Sequence, residues 1–333
     1  MGSLERVVAG STPGVVDLDI FDTTDPAGIA GVLSSLVAQA VGVRVQDGWW
    51  YQSSAAAVAG VRLIDGRSVA VHAYRPGTSE EFVEGVVRVQ RHLVDGGFPS
   101  ARPLSGPVSV GGVLGRVESL RPDPGQRRFA AGEMSASAAG LARLVTLAAA
   151  VDPAGLDTHP MSLSDSELYP EPHSAVFDFA ATSAGAEWID DVARAARAEM
   201  VSNSSVIAHG DWSARNVRLD RRGLCGVYDW ESLQLVAEPT AVGIAAATWC
   251  SLGGPSEPLA PSASEIRAYV DAYESHRSGR FELSQRRGAW AAAVFALAYT
   301  ARCEHALEPG TRTGRASGRL AAGDLWSLLD SGA

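Results

Sequence analysis

Apolar positions change their period several times along the first hundred residues. Over 26–41 they recur at helical spacing, with Asp25 placed to cap the helix and Pro26 at its first position. Three β-like runs follow at 43–51, 57–64 and 68–74, the last two joined by Asp65-Gly66, a pair that turns hairpins readily. Helical spacing returns over 78–94, with Thr78 or Ser79 as cap and acids in the first turn. Residues 108–110 and 113–120 then form a second hairpin pattern around Gly111-Gly112.

Arg121-Pro122-Asp123-Pro124-Gly125 breaks the pattern, and the domain boundary is expected there, with a first lobe over 1–120 and a second over 121–333. Beyond it the periodicity is helical over 135–151, 186–202, 238–250, 262–276, 285–307 and 318–329. One β-like stretch, 206–229, interrupts these helices. The predicted class is α+β, with a small β-rich N-terminal lobe and a larger, mostly helical C-terminal lobe.

Composition narrows the function classes. The longest apolar run, 289–301, falls short of the roughly 20 residues a membrane span needs. With no basic segment leading an apolar one at the N-terminus, a cytoplasmic location is expected. The three cysteines, Cys225, Cys250 and Cys303, lack metal spacing and are read as buried thiols. A net charge of −10 argues against a nucleic-acid partner. All 28 basic residues other than histidine are arginine, so no mechanism that needs a lysine amine is open to this chain.

The β interruption carries the candidate chemistry. It reads His209-Gly210-Asp211-Trp212-Ser213-Ala214-Arg215-Asn216, then a hairpin around Arg221-Arg222-Gly223, then Asp229-Trp230. Phosphoryl transfer needs a carboxylate facing the acceptor hydroxyl, and oxygen ligands that hold magnesium on the phosphates. Asp211 is the candidate base, and Asn216 and Asp229 are the candidate metal ligands. His209 is expected to brace the loop through backbone bonds, and Gly210 to allow a tight bend. Arg215 is either a contact for the transferring phosphoryl or the acceptor, or a plain surface residue.

This segment, HGDWSARN followed by DWES, resembles the catalytic segment of the aminoglycoside phosphotransferase-like kinases, and the resemblance extends more weakly into the N-terminal lobe. It implies a two-lobed protein-kinase-like fold and use of ATP and Mg2+. SVAVHAYRP at 68–76 is similar to the family's third strand, Gly97-Phe98-Pro99 to its helix end, and Val117-Glu118-Ser119-Leu120 to its adenine-binding hinge. The resemblance makes Ser53, Ser54, His72, Glu118 and Leu120 the expected nucleotide contacts. His72 stands where the family carries a phosphate-binding lysine, and Val86 where it carries that lysine's glutamate, with Glu84 two residues off. Tyr51-Gln52-Ser53-Ser54 occupies the phosphate turn. Arg75, taken as part of the third strand, is expected on the face opposite His72.

Between 144 and 193 the chain holds nine acids (Asp152, Asp157, Asp165, Glu167, Glu171, Asp178, Glu187, Asp190 and Asp191) and no arginine, which suits a solvated acidic face or a cationic acceptor. The expected activity is phosphorylation of a hydroxyl on a small molecule such as an antibiotic or secondary metabolite. Two alternatives stand beside it: a Ser/Thr kinase acting on a peptide precursor, and a nucleotide-binding pseudokinase without turnover.

Overall fold

The computed structural model describes residues 2–330 apart from 122–124, 126, 128, 163–166, 173, 175, 201–204, 254–256 and 258. The chain divides into two compact units. One comprises Met1–Pro122 and Val151–Leu156, the other Asp123–Ala150 and Asp157–Ala333. The predicted boundary segment lies mostly outside the described residues.

The first unit opens with two short helices that the periodicity did not reveal, α1 (Ser3–Gly10) and α2 (Val15–Phe21). With eight and seven residues, neither repeats an apolar face often enough to stand out. Helix α3 (Pro26–Val41) follows as expected, and the Asp25 side chain accepts a hydrogen bond from the Gly28 N–H. Strands β1 (Val45–Ser53), β2 (Ala57–Leu63) and β3 (Ser68–Ala73) come next, then α4 (Glu80–Asp95), capped by Ser79, then β4 (Val108–Val110) and β5 (Val113–Ser119). They form one antiparallel sheet in the order β1-β2-β3-β5-β4.

Alternation sorts the two faces of this sheet. Val61, Val69, Val71 and Val117 join Ile29, Leu33, Leu36 and Val37 of α3 in a buried core. Each such aliphatic side chain stabilises the fold by about 1.5–3 kcal/mol. On the other face, Tyr74 packs with Val83 and Val87 of α4. The stretch Val151–Leu156 belongs here because Arg88 of α4 donates to the carbonyls of Asp152 and Ala154.

The second unit holds α5 (Met134–Ala148), α6 (Glu187–Glu199), β6 (Ser205–His209), β7 (Val217–Asp220), β8 (Gly223–Val227), β9 (Leu233–Ala237), α7 (Glu238–Thr248), α8 (Ala263–Glu274), α9 (Leu283–Leu307) and α10 (Arg315–Ala321). Helices α7 and α9 approach closely at Gly243, where a Cβ would stand 2.7 Å from that of Ala292. The helix expected over 318–329 is instead α10 and a separate 3₁₀ turn, Asp324–Leu328, because Gly323 takes the left-handed conformation between them. No described helix is long and apolar enough to cross a membrane. Cys303 is buried, but Cys225 and Cys250 are only partly covered, which corrects the expectation of three buried thiols.

Candidate active site

In the second unit, β6 pairs with β9 from Ser205↔Ala237 to His209↔Leu233, and β7 with β8 from Val217↔Val227 to Asp220↔Gly223. The first pairing ends at His209 and the second begins just past Asn216, so both ends of the motif loop are anchored in sheets. The β7–β8 hairpin, turning at Arg221-Arg222, returns the chain so that the Tyr228 N–H donates to the Asn216 carbonyl at 2.9 Å. That bond sets Asp229 beside Asn216.

His209 is the brace of the loop. Its Nδ1 accepts from the Asp211 N–H at 3.2 Å, which leaves Nε2 protonated to donate to the Tyr228 carbonyl at 2.9 Å. The ring stands edge-on to the buried Trp212 and Trp230, with centroids 6.0 and 6.1 Å away. Trp212 Nε1 reaches the Ser137 hydroxyl of α5 at 3.1 Å, and Trp230 Nε1 the Val227 carbonyl at 3.2 Å. Both indoles are thus buried with their N–H groups satisfied.

Gly210 is required for space, not for conformation. The chain turns at Gly210 with a φ that is not positive, and a Cβ there would stand 2.6 Å from Gln234 Oε1 and 3.2 Å from His159 Cδ2. Burial pushes the pKa of that His159 down to about 4, so an uncharged imidazole lies under the loop at neutral pH.

Three oxygen-bearing side chains converge here. The Asp211 carboxylate is partly open and is gripped by Arg215 Nη2 at 2.6 Å. Asn216 Nδ2 bonds the Asp211 carbonyl at 3.1 Å and Asp229 Oδ2 at 3.5 Å, so its Oδ1 is the atom that could meet a cation. Asp229 sits at φ 59°, a left-handed conformation rare for a residue with a side chain, while Ser232 Oγ donates to its Oδ2 at 2.8 Å. Loss of hydration, then the neighbouring charge of Glu231 and, less strongly, of Asp211, raises the Asp229 carboxyl above its ordinary pKa. A divalent cation would relieve that crowding. An amide oxygen and a carboxylate suit magnesium, which completes its shell with water and phosphate. No cluster of three or more His, Cys, Asp or Glu residues that would form a separate metal cage occurs among the described residues.

In the first unit, the side chains expected to meet nucleotide largely meet protein. His72 is buried, with Nε2 3.3 Å from Glu118 Oε1. The register places His72 opposite Arg116 and Ala70 opposite Glu118, so these side chains share one face of the sheet. Glu118 Oε2 accepts from Arg116 Nη1 at 2.7 Å and from Gln90 Nε2 at 2.8 Å, and Arg116 Nε donates to the Tyr74 hydroxyl at 2.7 Å. Burial alone would raise the Glu118 pKa. The Arg116 guanidinium, then His72 and Gln90, outweigh it and hold the group at about 2. The Glu118 carboxylate is therefore committed within the protein, and the Leu120 N–H donates to the Ser68 carbonyl at 2.9 Å. The sequence reading missed this network. Its available signal was Gln90, one helical turn beyond Val86 on the same face of α4. Val86 is buried and Glu84 exposed.

The expected phosphate turn joins β1 to β2. Ser53 Oγ donates to Asp17 Oδ2 at 3.0 Å, and the Ser54 carbonyl accepts from Arg75 Nη2 at 2.9 Å. Strand β3 ends at Ala73, which corrects the expected place of Arg75 within the strand; its side chain reaches this turn and Asp19 of α2, away from His72. Along the acidic run, Asp178 bonds the Ala181 N–H, Asp190 accepts from the Tyr169 hydroxyl and Asp191 pairs with Arg194. Those acids serve local structure, and Asp165 lies outside the described residues.

A family model described as the phosphotransferase enzyme family matches residues 60–279. No curated protein sequence matches the chain. Among solved structures, an amicoumacin kinase in complex with AMP-PNP, Ca2+ and Ami aligns with a TM-score of 0.55 at 12% identity, over 86% of this chain and 88% of that one. Spectinomycin phosphotransferase in complex with ADP and spectinomycin aligns at 0.52 and 10% identity, over 89% of this chain and 96% of its own. The apoenzyme of a macrolide 2′-phosphotransferase from Brachybacterium faecium aligns at 0.52 and 16% identity, over 90% and 98%. These likenesses identify the fold as that of the protein-kinase-like phosphotransferases. With two thirds of its length matched by the family model, the chain belongs to the phosphotransferase enzyme family.

Proposed function

We propose that the protein transfers the γ-phosphoryl group of ATP, with magnesium, to a hydroxyl of a small molecule. The observation that carries this reading is the convergence of Asp211 and Asn216 of one braced loop with Asp229, Asn216 being bonded to both aspartates. Asp211 orients the acceptor hydroxyl and takes its proton as the phosphoryl arrives. Arg215, held on Asp211, orients that carboxylate and adds positive charge where negative charge develops. Asn216 Oδ1 and the Asp229 carboxylate would hold the metal, whose charge would offset that of the phosphates.

On the nucleotide side, the Ser53 hydroxyl donates to Asp17, so phosphate meets the turn through Ser54, the backbone N–H groups at 55 and 56, and Arg75. Glu118 and Leu120 contribute through their backbone, and His72 stays braced by Glu118. The small-molecule class is supported by the amicoumacin kinase and the spectinomycin phosphotransferase, whose structures hold those ligands with nucleotide.

The test is ADP release by the purified protein with MgATP and a panel of hydroxylated antibiotics and metabolites. Asp211→Asn is expected to cut kcat by about two to four decades while nucleotide affinity holds. Normal turnover in that variant would reject Asp211 as base. Nucleotide binding without turnover on any acceptor would favour a binding module.

A further inference from the structure

The family match begins at residue 60, yet the side chains that shape the β1–β2 turn come from earlier in the chain. Helix α1 docks on β1 where Gly48 has no side chain: a Cβ there would stand 2.8 Å from Leu4 Cα. Ser3 Oγ also receives the Gly48 N–H at 2.8 Å. Docking of α1 places α2 beside the far end of the same strand. There Asp17 is 1% exposed, an unusual burial for a carboxylate, and Tyr51, Ser53 and Gly14 all donate to its side chain. Oδ1 accepts from the Tyr51 hydroxyl, while Oδ2 accepts from Ser53 Oγ at 3.0 Å and from the Gly14 N–H at 2.7 Å. Tyr51 and Ser53 are the last two inward residues of β1 before the turn.

We propose that Asp17 is a positioning residue for nucleotide phosphates: α2 delivers a buried carboxylate that locks Tyr51 and Ser53 and so sets the shape of the 53–56 turn. The inference rests on the nucleotide reading given above. A buried carboxylate that accepts several hydrogen bonds is a stiff anchor, because each donor it loses would be left unpaired away from water. Burial, then Asp17 itself, raises the Tyr51 pKa, so the phenol remains a donor across the working range. Arg75 fixes the other side of the turn through the Ser54 carbonyl, with Asp19 of α2 3.9 Å from its Nε. One short helix therefore touches both supports of the turn. The energy of docking α1 and α2 is converted into order at the place where phosphate amides must already point the right way.

The test compares adenosine, ADP and MgATP binding by calorimetry, with steady-state kinetics and melting temperature, in wild type, Asp17→Asn, Asp17→Ala, Tyr51→Phe and Ser53→Ala. Asp17→Ala is expected to weaken MgATP and ADP about 10-fold, leaving adenosine affinity and the acceptor KM at wild-type values. Tyr51→Phe and Ser53→Ala should each give about a 3-fold effect of the same kind, and Asp17→Asn should recover part of the loss. ADP and MgATP affinities in Asp17→Ala equal to those of wild type, whatever its melting temperature, overturn the proposal. If Asp17→Ala does not fold, unchanged phosphate affinity in both Tyr51→Phe and Ser53→Ala overturns it instead. A wild type that binds neither adenosine nor ATP rejects the nucleotide reading and this inference with it.

Discussion

Replacing Glu118 by glutamine keeps the shape of the side chain and removes its charge. The Arg116 guanidinium, fully buried, then loses the carboxylate 2.7 Å away. The size of the effect follows from linkage. A carboxyl at 4.5 in the unfolded chain and at about 2 in the folded one stabilises the fold by about 3 kcal/mol near neutral pH. Breaking a buried ion pair from one side costs about 3–5 kcal/mol, so the two routes agree. Because the folded pKa is depressed, this stabilisation is complete above 4.5 and is lost as the pH falls toward 2. At about pH 3.5, roughly 1 kcal/mol of it is gone, since the unfolded carboxyl is by then mostly protonated and the folded one is not. Urea unfolding followed by far-UV circular dichroism measures both proteins at about pH 7 and about pH 3.5. Glu118→Gln should be less stable by about 3 kcal/mol at the higher pH, with the gap narrowing by about 1 kcal/mol at the lower. A variant within 0.5 kcal/mol of wild type at about pH 7, with no change of the gap on acidification, would refute the argument.

Two further substitutions probe the second unit. Gly210→Ala pushes a methyl group against Gln234 and the Ser232 carbonyl, which already accepts the Gly210 N–H at 2.7 Å. It should cost about 1–3 kcal/mol in stability by thermal unfolding and lower kcat about 100-fold by shifting Asp211, and an active, fully stable variant would contradict this packing. Asp229→Ala should abolish the magnesium dependence of ATP affinity in calorimetry, whereas an unaltered response to magnesium would remove Asp229 from the metal site.

Much of the first unit could be read from period and turn chemistry. The bounds of α3 follow from Asp25, Pro26 and Gly42, and the β2–β3 hairpin from Asp65-Gly66, where Gly66 has φ 87°. In the second unit, Asp211, Asn216 and Asp229 were identifiable because one contiguous stretch of chain brings them together. The Glu118 network was not, because it depends on register between β3 and β5, strands separated by α4 and β4, and register leaves no mark in local periodicity. Asp17 escaped for a related reason. It looks like any acid in the first turn of a short helix, and only the docking of α1 on Gly48 shows that it faces inward.

The return of Val151–Leu156 to the first unit has a consequence for synthesis. A chain emerging from the ribosome makes α1 through β5, then the whole of α5, before the residues whose carbonyls receive Arg88 exist. Domains generally mature in the order of their translation. Here the earlier unit must wait for a piece of the later sequence, with the Arg88 side of α4 unfinished meanwhile. A fragment cut at residue 122 would be released in that same unfinished state, so expression trials on the isolated lobe should join residues 1–121 to 151–156 through a short linker that replaces α5.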